Sequence, residues 1–133
     1  LERWEPTLEN ERLSRVLLDR DLAALGDAFV NLVYSLALTR QAGRPKGSKV
    51  ENRILAEAIR RAGLRGLLPK RLDRHAIGGS AEALLAYAWL EGLVAMDECT
   101  EALRPSLDQP VEAFTQLLTL IVGRVKAGRG MER

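Results

Sequence analysis

Residues 22–40 read LAALGDAFVNLVYSLALTR, and Asp27 is the only charged side chain between Leu22 and Thr39. Apolar residues fall on every side of a helical wheel drawn through this stretch, and no strand-like alternation interrupts it. The pattern predicts a long helix buried at the centre of a helical domain. A second stretch of the same character, SAEALLAYAWLEGLV at residues 80–94, follows the pair Gly78-Gly79; from Ala76 to Leu90 its only charge is Glu82.

Outward from these two segments the periodicity stays helical. A helix is expected over Thr7–Asp19, with Leu8, Leu13, Val16 and Leu17 as its apolar face. The loop QAGRPKG at 41–47 interrupts the chain, because Gly and Pro oppose helix continuation. Ser48 and Glu51 have the spacing of a capping box, which would open a helix over Lys49–Ala62 ending at Gly63. Residues 64–75 form a basic connection, with a helical turn or two expected after Pro69. A short piece near Asp97–Leu103 and a last helix from Asp108 or Pro110 to Lys126 follow, leaving AGRGMER as a frayed tail. The fold class is therefore all-α: a single domain over 1–133 with six or seven helices.

Composition narrows the function. The chain has 133 residues, 47% of them hydrophobic, enough for one domain with a substantial core. One Cys and one His leave neither a disulfide framework nor the usual zinc sites. No signal-peptide pattern or charge-free membrane-length run is seen, so a cytoplasmic protein without membrane contact is expected. The net charge of +2 hides an asymmetry: residues 40–75 hold eleven Lys and Arg against Glu51, Glu57 and Asp73, while both flanks are acidic. A local excess of this size suits a polyanion, whose counterions are released on binding. A solvated, arginine-rich helix face would give the same count.

Asp27 and Glu82 are the residues with chemical promise. A carboxylate in an apolar helix is costly to bury unless a cation or several donors meet it. Small residues surround both: Ala23, Ala24, Gly26 and Ala28 beside Asp27, and Gly78, Gly79, Ala81, Ala83 and Ala86 beside Glu82. Two such helices can approach closely and bring the acids together. Converging carboxylates suit a hard divalent cation, Mg²⁺ or Mn²⁺, which activates water and stabilises phosphoryl charge. In the structural alternative, Asp27 pairs with an Arg of the basic segment and Glu82 serves the first turn of its helix.

LAALGDAFVNLVYSLAL resembles the signature helix of ribonuclease III endonuclease domains, with its LGDA core. RHAIGGSAEALLAYAWLEG, at 74–92, resembles the family's second motif, in which a catalytic Glu opens an EALLGYxxLE-type helix. The resemblance covers residues 20–93 and lies closest to the Mini-III type, which has no double-stranded-RNA-binding domain. Ala23 stands where that type also has Ala and full-length enzymes have Glu. Gly79 stands where full-length enzymes have an acid three residues before the Glu, so Asp19, Asp21 or water would complete the metal shell.

The resemblance implies that Asp27 and Glu82 are the catalytic, Mg²⁺-binding pair of an endoribonuclease. It would cut double-stranded or structured RNA as a homodimer, leaving 5′-phosphates. Arg44, Lys46, Lys49, Arg53, Lys70, Arg71 and Arg74 are then the expected RNA-binding residues, because duplex RNA is held through its phosphates and 2′-hydroxyls. His75 is read as an RNA contact or a turn residue, Tyr34, Tyr87 and Trp89 as core or dimer contact, and Cys99 as inert. Two other functions are weighed: an inactive relative that binds RNA during its maturation or ribosome assembly, and a helical interaction module in which LGDA is incidental.

Overall fold

The computed structural model describes residues 7–131, and these contain six α-helices and no strand. They are α1 (Leu8–Leu17), α2 (Arg20–Ala42), α3 (Asn52–Arg61), α4 (Arg74–Leu90), α5 (Met96–Leu103) and α6 (Pro110–Met131), with 3-10 turns at Arg65–Leu67 and Arg104–Ser106. Side-chain oxygens cap three of them. Thr7 accepts from the Asn10 amide, Asp19 from the Leu22 amide and Asp73 from the Ala76 amide, at 3.1, 3.0 and 2.8 Å. Gly43, at φ 73°, closes α2 in the left-handed conformation that a side chain resists.

The central helix is α4, packed by α1, α2, α3 and α6. Its Gly78, Ser80, Ala81, Ala83, Leu84, Leu85, Ala86 and Ala88 are buried, and the run of small residues lets neighbours close in around the axis. Leu84 and Leu85 share the core with Leu55 and Ile59 of α3, Leu103 of α5, and Phe114, Leu117, Leu118 and Ile121 of α6. Burying a side chain of this size contributes about 1.5–3 kcal/mol.

The expected central helix, α2, is instead one-sided. Gly26, Phe29, Val30, Val33 and Ala37 are buried, whereas Ala24, Leu25, Asp27, Ala28 and Leu32 are exposed. By length and composition α2 is apolar enough to cross a bilayer, contrary to the sequence expectation. Here its inner face packs into the domain. Contacts between Ala23 and Gly79, Gly26 and Glu82, and Phe29 and Trp89 advance together along both helices, so α2 and α4 run parallel.

Four boundaries differ from expectation. α4 starts at Arg74, six residues before Ser80, because Asp73 caps it and the glycine pair lies inside the helix. Gly78 is a packing residue: a β-carbon there would sit 3.0 Å from Asn52 Oδ1 and 3.1 Å from the Asn52 carbonyl oxygen. Two interior glycines disfavour the helix by about 1 kcal/mol each relative to Ala, a loss offset by tertiary contact. The Ser48–Glu51 capping box does not form, because α3 begins only after Glu51, which is itself the N-cap, while the Ser48 backbone is laid against the Ser35 hydroxyl. Finally, the extra turn precedes Pro69, at Arg65–Leu67, and α6 continues to Met131, through most of the expected frayed tail. The last two residues of that tail lie outside the described ones.

Candidate active site

Asp27 and Glu82 meet where α2 crosses α4. A β-carbon on Gly26 would lie 1.9 Å from the Glu82 carbonyl oxygen and 2.9 Å from its Cα, so the helix backbones touch there and only glycine fits. The approach brings the neighbouring side chains together, and the Asp27 and Glu82 carboxyls line one cavity. Burial, then the neighbouring Asp27 carboxyl and its charge, push the Glu82 carboxyl up to about 7, opposed by the positive charge of Lys49. Glu82 is half-buried and Asp27 exposed, so the pair sits at the mouth of a cleft. Glu82 also lies in the third turn of α4, which removes the first-turn dipole role considered for it.

A polar ladder on α2 positions Asp27. Asp27, Asn31, Ser35 and Thr39 are spaced by four residues and share one helix face. Thr39 exchanges hydrogen bonds with the Lys46 backbone, its Oγ1 accepting from N (2.9 Å) and donating to O (3.1 Å). Ser35 does the same with the Ser48 backbone, at 2.9 and 3.1 Å. Asn31 accepts from the Val50 amide at 2.8 Å and donates to Asp27 Oδ1 at 3.2 Å. The connection between α2 and α3 is thereby laid along α2, and Lys49 is delivered beside the acids. Sequence reading missed this ladder, although four polar residues at helical spacing in an apolar helix are its visible signal.

The acids open onto a cavity of about 860 Å³, also lined by Asp19, Ala23, Lys49, Asn52, His75 and Gly79 among others. His75 Nδ1 accepts from Asn52 Nδ2 at 2.8 Å, which leaves the neutral ring its proton on Nε2. Asp19, a candidate third ligand, lines the cavity but holds the α2 cap; Asp21 does not line it. Among the described residues no set of three or more Asp, Glu, His or Cys side chains gathers as a metal site. Two carboxylates nevertheless fit Mg²⁺, which keeps several waters and binds through one or two protein carboxylates.

The expected RNA-binding residues divide. All seven are exposed. Lys49 lines the acidic cavity, and Arg53 and Arg74 line a second one together with Arg60 and Arg65. Arg44, Lys46, Lys70 and Arg71 line neither. Trp89 stacks on buried Phe29 with ring centroids 4.9 Å apart, and Tyr34 packs on Phe114, so both aromatics serve the core as expected. Tyr87 also packs against the core. Cys99 is buried, and its thiol is pushed up to about 12, chiefly by burial, which removes the reactive thiolate.

A family model described as Ribonuclease III matches residues 20–127. The match takes in the LGDA and EALL segments together, so LGDA is not incidental. No curated protein matches the chain.

Proposed function

The chain belongs to the ribonuclease III family, and from that premise we propose that it is a divalent-metal-dependent endoribonuclease of double-stranded or structured RNA, leaving 5′-phosphates. The observation that carries this reading is the Asp27–Glu82 pair, brought together by the Gly26 contact at the mouth of one cavity. The two carboxylates would hold Mg²⁺ or Mn²⁺. When bound, such an ion activates a water and neutralises charge on the phosphodiester.

The chain's own groups supply the rest. Asn31 fixes the Asp27 carboxylate by donating to one of its oxygens. Glu82, with its carboxyl raised to about 7, must release a proton before it ligates a cation fully, so cation and proton compete for it. Lys49 lines the same cavity and offers a positive charge to a phosphate beside the acids. His75, anchored through Nδ1, offers an Nε2–H donor to RNA.

The proposed assembly is a homodimer built on the exposed side of α2. On α2, Leu25 and Leu32 are 40% and 47% exposed and lie seven residues apart, the spacing of one helix face. An exposed leucine pair of this kind suits an interaction surface. Mini-III is the proposed type and the cytoplasm the proposed setting.

One observation favours a second reading, an RNA-binding relative without activity. Ala23 and Gly79, at positions where full-length enzymes carry acids, lie side by side: a β-carbon on Gly79 would sit 3.8 Å from Ala23 Cβ. The test is cleavage of a labelled RNA duplex with Mg²⁺, Mn²⁺ or EDTA, comparing wild type with Asp27→Asn and Glu82→Gln. Metal-dependent cutting that both substitutions abolish establishes the enzyme. Duplex binding without cutting in either metal establishes the inactive relative.

A further inference from the structure

Beside the acidic cavity lies a second, of about 540 Å³, walled by Arg53, Arg60, Arg65 and Arg74 with Glu57 as its one acidic wall residue. The two cavities share a partition. Asn52 and His75, hydrogen-bonded to each other, line the acidic side, whereas their sequence neighbours Arg53 and Arg74 line the arginine side.

The four arginines are not equivalent. Glu57 is occupied by Arg60 and Arg61, both of which hydrogen-bond to its carboxylate. Those bonds hold the Glu57 carboxyl down at about 2, so it stays charged and its charge is spent on that pair. Arg65 is half-buried and pre-set: its terminal nitrogens donate to the carbonyls of Leu68, Pro69 and Lys70 at 3.5, 2.9 and 2.9 Å. That locks the guanidinium before any ligand arrives and lowers the ordering cost of binding. Arg53 gives only its Nε to Glu51, at 2.7 Å, which leaves its terminal nitrogens available. Arg74 makes no ion pair among the described residues. Three guanidinium groups therefore face one space: Arg53 is balanced by Glu51 through Nε alone, and Arg65 and Arg74 have no ion pair among the described residues. Planar N–H forks match phosphate oxygens in pairs, and a cavity of this size admits more than one phosphate.

We propose that this arginine cavity is a phosphate-binding site, formed by Arg53, Arg65 and Arg74 and distinct from the Asp27–Glu82 centre. Its phosphate chemistry stands independently of cleavage. Only the assignment of those phosphates to an RNA strand, one that passes over the Asn52–His75 partition to the acids, rests on the function proposed above.

The test uses the full chain and an Arg53→Gln, Arg74→Gln double variant; Arg65 is kept because it holds the loop carbonyls. Inorganic pyrophosphate is titrated calorimetrically in EDTA, with circular dichroism verifying the fold of both proteins. The expected result is saturable binding by wild type, weakened at least about tenfold in the variant. No binding by wild type, or equal binding by both, overturns the proposal. A second arm measures duplex RNA affinity against salt. A log–log slope smaller by about 2 in the variant assigns the phosphates to the RNA backbone. An unchanged slope, with pyrophosphate binding lost, assigns the site to small phosphorylated molecules. Because neither arm reads cleavage, an inactive enzyme would leave both outcomes interpretable.

Discussion

Gly26 and the backbone carbonyl of Glu82 are in direct contact, so close that a β-carbon on Gly26 would lie 1.9 Å from the Glu82 oxygen. The first prediction is that Gly26→Ala forces α2 and α4 apart. Overpacking typically destabilises by about 1–3 kcal/mol, and backbone against backbone places this variant at or above the upper end. Urea unfolding should show that loss. Cleavage should fall further than stability does, because the carboxyls separate while the chain still folds. An Ala28→Gly control on the exposed face should lose only about 1 kcal/mol through helix propensity.

Glu82 gives the pH dependence. Its folded-state value, about 7, lies above the ordinary 4.5. The folded chain therefore holds this proton more tightly than the unfolded chain. In EDTA that contribution is fully present below about 4.5 and is lost as pH rises through about 7. A bound cation needs the ionised form, so Mg²⁺ should raise the melting temperature more at pH 8 than at pH 6, by a few degrees. Glu82→Gln should flatten the EDTA profile across this window and remove the Mg²⁺ effect. Differential scanning fluorimetry over pH measures both.

Asn31 joins Asp27 to Val50. Asn31→Ala should destabilise by about 1–3 kcal/mol, since it strands the buried Val50 amide. Hydrogen exchange offers a local readout. The Val50 amide should lose protection, while the Lys46 and Ser48 amides, held by Thr39 and Ser35, should keep theirs. Equal loss at all three would mean that the ladder unzips as a unit.

The leucine pair on α2 predicts the oligomeric state. Wild type should sediment at twice 14.7 kDa. Leu25→Lys combined with Leu32→Lys should sediment as a monomer with the same helical circular dichroism, because both side chains are already 40–47% exposed. A monomeric wild type would sink the dimer outright.

Gly79 has room for a side chain: a β-carbon placed there would meet Ala23 Cβ at an ordinary contact distance of 3.8 Å. Gly79→Asp should add a third carboxylate to the cavity and tighten Mg²⁺ binding by about tenfold, measured by calorimetry.

The sequence made the existence of the helices and the meeting of the two acids legible, because the small residues beside Asp27 and Glu82 carry the information that two helices come close. It did not reveal which long helix is central. α2 and α4 are both apolar all round, and a helix face that is exposed here, or covered by another copy, reads like a core face on a wheel. The start of α4 was also hidden. Gly78 and Gly79 have the local signature of a break, and only the contact of Gly78 with Asn52, distant in sequence, explains them inside a helix. Ser48 likewise had the local signature of a cap, but its backbone is held along α2 by the Ser35 hydroxyl, and α3 starts later. The arginine cavity was invisible because Arg53, Arg65 and Arg74 come from three separate elements.

The parallel crossing at Gly26 has a mechanical consequence. The backbones touch at Gly26, and the contacts Ala23–Gly79 and Phe29–Trp89 brace the helices on either side of that point, so relative motion is smallest there. The Asp27–Glu82 pair sits beside that point, while the loops and cavity walls ride on the helix ends. Displacement of the helix ends therefore moves the two carboxyls least.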